Sequence, residues 1–251
     1  MEKAVLQFRV LGRPVLIDIE PLPPMARLDE VLPALRALDD QLMAIAVGAN
    51  GRPVSCARGC SACCRIQPVP VTPAEAYGLL RLVEDLPEPN RGRILSRFAE
   101  RQARLTSAGL ADAYLEGRRA GSQEDAQANV KAYLDLRLAC PFLEDDDSCG
   151  IYQDRPFVCR EYCVTSDPKL CENPLELPVE TVPMLASLAA ASMEAAAEVS
   201  GHQRYTIPLT LALAFATEHR EELERTYSGV EILNRSMRSA MSAAHRSTSS
   251  L

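Results

Sequence analysis

Nine cysteines are the residues whose types and spacing could do chemistry in this chain. Four form Cys56-x3-Cys60-x2-Cys63-Cys64; four more, Cys140, Cys149, Cys159 and Cys163, form a second group, and Cys171 follows it. Gaps of three and two residues let one loop curl several thiolates around a centre. Two such loops, separated by helices, can converge on one metal site and close a long loop as they do so. An odd number of cysteines cannot all be paired as disulfides. The plain alternative, ordinary buried thiols, fits nine cysteines at these spacings poorly. The three histidines, His202, His219 and His245, all lie beyond the cysteine region. The expected ligand set is therefore mainly sulfur, which points to zinc or iron–sulfur chemistry and away from three-His zinc or two-His-one-carboxylate iron.

Zinc and iron–sulfur readings differ in detail. A structural zinc takes four thiolates, usually from paired Cys-x2-Cys knuckles, and only Cys60 and Cys63 form one. The adjacent Cys63 and Cys64, whose side chains are expected to diverge, suit a polynuclear cluster, or one ligand beside a free thiol. Cys56, Cys60 and Cys63 also have the spacing of a three-thiolate [4Fe–4S] site of radical S-adenosylmethionine enzymes, without the long alternation of strands and helices that those enzymes carry. The candidate metal ligands are Cys56, Cys60, Cys63, Cys64, Cys140, Cys149, Cys159 and Cys163. Four thiolates around zinc or a [4Fe–4S] core leave a charge of about −2. Arg58, Arg65, Arg155 and Arg160 are near in sequence, and their donors would stabilise such a centre and raise its potential. The alternative pairs Arg155 and Arg160 with Asp145 to Asp147 or with Glu161 at the surface. Glu144-Asp145-Asp146-Asp147 lacks the ligand spacing of a calcium loop and reads as a solvated acidic turn.

The strings CxxxCxxCC, CPFL and CxIYxxRPxxCRxY together resemble the cysteine-cluster family described as zinc- or iron-chelating proteins, and are similar to the cysteine region of flagellin lysine methylases. The resemblance covers Cys56 to about Cys163. It implies that Cys56, Cys60, Cys63, Cys64, Cys140, Cys149 and Cys159 are the family cysteines. Ile151, Tyr152, Arg155, Pro156 and Arg160 match the rest of the signature, and Glu75 fits a helix-start position. Cys163 and Cys171 fall outside the core pattern. The methylase likeness makes S-adenosylmethionine a cofactor to test and a protein lysine the first acceptor.

The elements that must position these residues are mostly helical. Val5–Val10 and Pro14–Ile19 read as a short hairpin. Leu28, Val31, Leu32, Leu35, Leu38, Leu42 and Ile45 form one apolar helical stripe, with Asp29 as its cap and Gly48-Ala49-Asn50-Gly51 as its stop. Thr72-Pro73-Ala74-Glu75 is a capping box with proline in the first turn. Further helices are expected from Arg91 past Leu105, from Gln123 to Leu138, from Val182 to Val199 and from Ile207 to Tyr227, with one helical turn over 155–160. The fold class is mostly α with an N-terminal β-hairpin, and Cys-rich metal-binding loops held between helices. Its parts are 1–55 (hairpin and helix), 56–172 (cysteine cluster), 173–228 (packing helices) and 229–251 (terminal helix and mobile tail).

Composition narrows the partners. The net charge is −7, aromatics are 5% of the chain and tryptophan is absent, which argues against a nucleic-acid surface. The first twenty residues carry charges throughout and lack an apolar centre, so no signal peptide is expected, and no stretch reaches the roughly 20 apolar residues of a membrane span. A cytoplasmic iron–sulfur protein follows, with a redox or protein-modifying role and a redox partner or protein substrate. A non-enzymatic structural zinc module is the alternative.

Overall fold

The computed structural model describes residues 4–10, 13–19, 22–115, 123–184, 186–201 and 204–248. In chain order the elements are β1 (Ala4–Val10), β2 (Arg13–Ile19), β3 (Met25–Ala26), α1 (Leu32–Asn50), β4 (Pro70–Val71), α2 (Pro73–Glu84), α3 (Asn90–Ser107), α4 (Ala111–Leu115), α5 (Gln123–Asp135), α6 (Phe157–Glu161), α7 (Leu188–Ser200), β5 (Ile207–Pro208), α8 (Ala212–Glu218), α9 (Arg220–Leu223), β6 (Tyr227–Ser228) and α10 (Gly229–Thr248). The fold is mostly helical. Its strands form three antiparallel pairs, β1 with β2, β3 with β6 and β4 with β5.

The expected hairpin is the β1–β2 pair, in register from Ala4 opposite Ile19 to Val10 opposite Arg13. The apolar stripe that follows begins one turn later than its first leucine, because Leu28–Val31 winds as a 3-10 turn before α1. Asp29 does not cap it; Asp29 accepts from the Arg27 guanidinium, and Glu30 closes back on the Arg27 amide. Pro33 falls in the first turn of α1, where its missing N–H costs nothing, and Gly51, at φ +69°, ends the helix in the left-handed region.

Two apolar clusters divide the molecule. One packs α2, α3, α5 and α8 through Tyr77, Leu80, Phe98, Tyr133 and Phe215. The other packs α1 against α7 and α10 through Leu35, Leu38, Leu188, Ala191 and Ile232, with Phe157 of α6 among them. The segment Ile207 to Tyr227, expected as one helix, is instead β5, a 3-10 turn, α8 and α9. Val69 accepts the Leu209 amide at 2.8 Å, and Pro208, which lacks an N–H, sits in the short β4–β5 pair. Helix α7 begins at Leu188 rather than near Val182, because Thr181 is drawn into a β-bridge with Val164.

Asp39 of α1 is 0% exposed and neither carboxylate oxygen has a hydrogen-bond partner. Burial, and then the nearby Glu161, push its carboxyl up to about 8, while Arg160 opposes the shift. A folded-state value above the unfolded one means that the stabilisation is complete below about pH 4 and is lost as the pH rises through 8. Between pH 5 and 7 the wild type is expected to lose about 1.4 kcal/mol of stability per pH unit from this residue. Asp39→Asn should remove that slope, as read from denaturation midpoints across the range.

Candidate metal centre

The first cysteine loop leaves the segment after α1 and turns twice. The Cys60 amide donates to Ala57 O at 2.9 Å, with Gly59 between them at φ +84°, a conformation that favours glycine. Cys63–Arg65 is a 3-10 turn. Within it the Cys64 thiol is near enough to push the Cys63 thiol up.

The second loop follows α5. Leu143 and Cys149 form an antiparallel bridge around a tight turn over 144–148, with Asp147 at φ +63°. Gly150 faces Glu144 so closely that a Cβ there would lie 2.5 Å from its Oε1. The acidic run is spent on pinning this turn. Glu144 takes a two-bond pair from Arg93 (2.6 and 3.1 Å), Asp146 accepts from Ser148 N at 3.1 Å, and Asp147 takes Arg65 and Ser61 Oγ. The Arg65–Asp147–Ser61 set also clamps the first loop to the second, and the Cys140 amide donates to Cys64 O at 2.6 Å between them.

Glu75 makes the third tie. Its Oε2 accepts the Thr72 amide and its Oε1 the Phe157 amide, both at 2.8 Å. One buried carboxylate thus completes the predicted capping box of α2 and also caps α6, the helix that carries Cys159. Burial pushes Glu75 up, and the two amides and Arg36 pull it down.

These ties bring seven thiols to one cavity of about 570 Å3: Cys56, Cys60, Cys63, Cys64, Cys140, Cys149 and Cys159. Val69, Leu138 and Leu209 also line it, as do Tyr133 and Thr210, whose hydroxyls are hydrogen-bonded at 2.9 Å. Among the described residues no three His, Cys, Asp or Glu side chains lie close enough together to hold one ion. The thiols are spread around the walls. Cys163 and Cys171 are not among the lining residues, and Cys171 is buried elsewhere beside Tyr162. His219 is engaged with Phe215 O in α8.

Residues 55–175 match the family model described as "CxxCxxCC: Putative zinc- or iron-chelating domain". Over that segment the chain is similar to this family. No curated protein and no solved structure matches the chain, so the likeness to flagellin lysine methylases rests on the sequence strings alone.

Several thiols of this segment are pushed up by burial and by one another. Burial pushes the Cys140 thiol up to about 12, and Cys149 and Cys63 add to the shift. Cys159 is raised well above the usual thiol range for the same reasons, and Cys63 is raised by the neighbouring Cys64 thiol and then by burial. Without a metal the cavity disfavours accumulating thiolates; a metal core of positive charge reverses that balance, and its binding must release protons. Arg155 and Arg58 are cations that the protein itself places in the lining, and Arg155 is the one that acts on the thiols. It lines the cavity, its guanidinium lies 3.9 Å over the Tyr152 ring, and its charge lowers Cys56, Cys149 and Cys159. It has no carboxylate partner among the described residues. Arg160 stands apart, buried and bonded to Asp40 at 2.6 Å and to the carbonyls of Arg155 and Gln153. It holds the backbone of the signature turn instead of facing the cavity. Glu161 pairs with neither arginine; it caps α7 through the Leu188 and Ala189 amides. Tyr133, Tyr162, Gln67 and Thr210 complete the walls; Tyr162 closes the CxIYxxRPxxCRxY string and Gln67 follows the first loop, while no motif marks Tyr133 and Thr210, which arrive from elements distant in sequence.

Proposed function

We propose that residues 55–175 hold a polynuclear iron–sulfur core of the [4Fe–4S] kind, and that the protein exchanges electrons with a redox partner through it. One observation carries this reading: seven thiols surround a cavity of about 570 Å3, yet no three of them converge on a point. A tetrahedral zinc draws four sulfurs to about 2.3 Å from one centre, and no such set is present among the described residues. A core that contributes its own sulfide spans such a cavity with fewer ligand movements. When bound, it supplies one-electron transfer at a potential set by net charge and by donors to sulfur. Cys60, Cys63, Cys64, Cys140, Cys149 and Cys159 are the half-buried candidate ligands, Cys56 is the exposed one, and Arg155 offsets the negative charge at the rim.

The test is composition. Protein made anaerobically with iron is expected to be brown and to carry acid-labile sulfide in proportion to iron. Colourless protein with stoichiometric zinc and no sulfide overturns the reading and leaves a structural zinc module.

The apolar and hydroxyl-bearing wall favours one addition, a small molecule seated beside the metal. S-adenosylmethionine, for transfer to a protein lysine, is the first to try. A metal spectrum unmoved by millimolar S-adenosylmethionine removes that addition and leaves electron exchange.

A further inference from the structure

Of the eight expected ligands, Cys163 alone does not line the cavity. It sits instead against the most accessible one. Cys56 is the exposed member of the nine cysteines. Its Sγ accepts the Val164 amide at 3.3 Å, and the Ser55 amide donates to Val164 O at 2.7 Å, so residues 55–56 run alongside 163–164. The Val164 nitrogen is bonded to the Cys163 carbonyl carbon. Covalent geometry therefore keeps Cys56 Sγ within about 6 Å of Cys163 Cα. The Cys163 backbone is fixed, its carbonyl accepting the Val182 amide at 2.8 Å, while its thiol makes only a weak 3.6 Å contact with Arg160 O. The backbone is held and the side chain can turn, so rotation of the Cys163 side chain can carry its thiol toward Cys56 Sγ, the approach that an S–S bond of about 2.05 Å requires.

We propose that Cys56 and Cys163 form an oxidation site: a peroxide attacks Cys56, and Cys163 resolves the product as a disulfide that takes Cys56 out of the metal cavity. In the first step the Cys56 thiolate displaces hydroxide from the peroxide and becomes a sulfenic acid. In the second the Cys163 thiol attacks that sulfur, forming the S–S bond and releasing water. Two electrons pass from the two sulfurs to one peroxide. Exposure selects Cys56, and an adjacent resolving thiol keeps its oxidation reversible. The proposal rests on Cys56 belonging to the metal set, whichever metal that is. Cys171 cannot serve, since it is 3% exposed.

The experiment treats metal-loaded protein with one to three equivalents of hydrogen peroxide, blocks free thiols and maps the links by mass spectrometry. The expected product is a Cys56–Cys163 disulfide, formed in proportion to metal lost, and reversed by a thiol reductant with added metal. Cys163→Ser and Cys163→Ala should hold metal at the wild-type ratio before oxidation, and should accumulate Cys56 sulfinic acid after it. Loss of metal from both variants before oxidation would make Cys163 a ligand and overturn the proposal. So would a dominant Cys56–Cys60 link, or oxidation spread evenly over the cysteines. Metal missing from the unoxidised wild type is a failure of the metal reading, seen before any peroxide is added; the disulfide map of that same protein still decides the pairing.

Discussion

Cys60→Ser and Cys159→Ser are each expected to abolish stoichiometric metal binding and to leave a protein without a cooperative thermal transition. The two residues come from opposite loops of one cavity. Each loop is tied to the other by the Cys140–Cys64 backbone bond and by the Arg65–Asp147 pair, so withdrawal of a ligand on either side frees both. A structural metal in small domains is worth about 10–16 kcal/mol, comparable to the whole stability of a typical fold at about 5–15 kcal/mol. Even partial loss is then visible as aggregation or as a lost melting transition. Cys171→Ser is the contrast. It lies outside the cavity, and its cost should stay near 1 kcal/mol, the order of one small buried substitution, with metal content unchanged. Metal-to-protein ratio and calorimetry on the three variants decide the matter. Full metal content in both Cys60→Ser and Cys159→Ser would show that the loops do not share a centre.

Glu75→Ala should be the most damaging change outside the cysteines. The side chain is 1% exposed and its two oxygens accept two amides 85 residues apart in sequence, Thr72 and Phe157. Alanine leaves both buried donors unpaired, at about 1–3 kcal/mol each, and opens a void where the carboxylate stood. A loss of about 4 kcal/mol is expected in denaturant titrations. The consequence reaches the metal, because the Phe157 amide begins the helix that carries Cys159. Metal affinity should therefore fall in Glu75→Ala although no ligand has been touched. Glu75→Gln separates the two effects. Its amide oxygen keeps one of the two bonds, while its NH2 faces the other donor, so about half the loss should remain. Equal stability of all three proteins would mean that Glu75 is not the tie described here.

Local signals were legible where the chain satisfies them locally. Thr72 and Glu75 are three residues apart, and the capping box that they predict is present. The same is true of the β1–β2 hairpin, and the stop read over 48–51 falls at its last residue, Gly51. What the sequence did not disclose is who uses a side chain's second face. Glu75 reads as a cap for its own helix, and nothing near it announces Phe157. Arg160 reads as a donor to a cluster; its partner Asp40 is 120 residues away on a helix face that looks merely solvated. Glu161 reads as a surface acid and is a helix cap for α7. The stretch after Ile207 has helical periodicity, and tertiary pairing with β4 overrides its first residues. In each case propensity and spacing describe a residue's neighbours along the chain, while the site is assembled from neighbours across it.

The placement of α2 to α5 between the two cysteine loops also sets an order of events at synthesis. Cys64 leaves the ribosome roughly 75 residues before Cys140, an interval on the order of 4–15 s at ordinary elongation rates. Throughout it, the first four thiols have no partners from the second loop. A core ligated from both loops is therefore completed only after α2 to α5 have been made, and Glu75 must wait longer still, for Phe157. Metal delivery is a closing event for this domain, and a chain stalled between the two loops would present four uncommitted thiols to the cell.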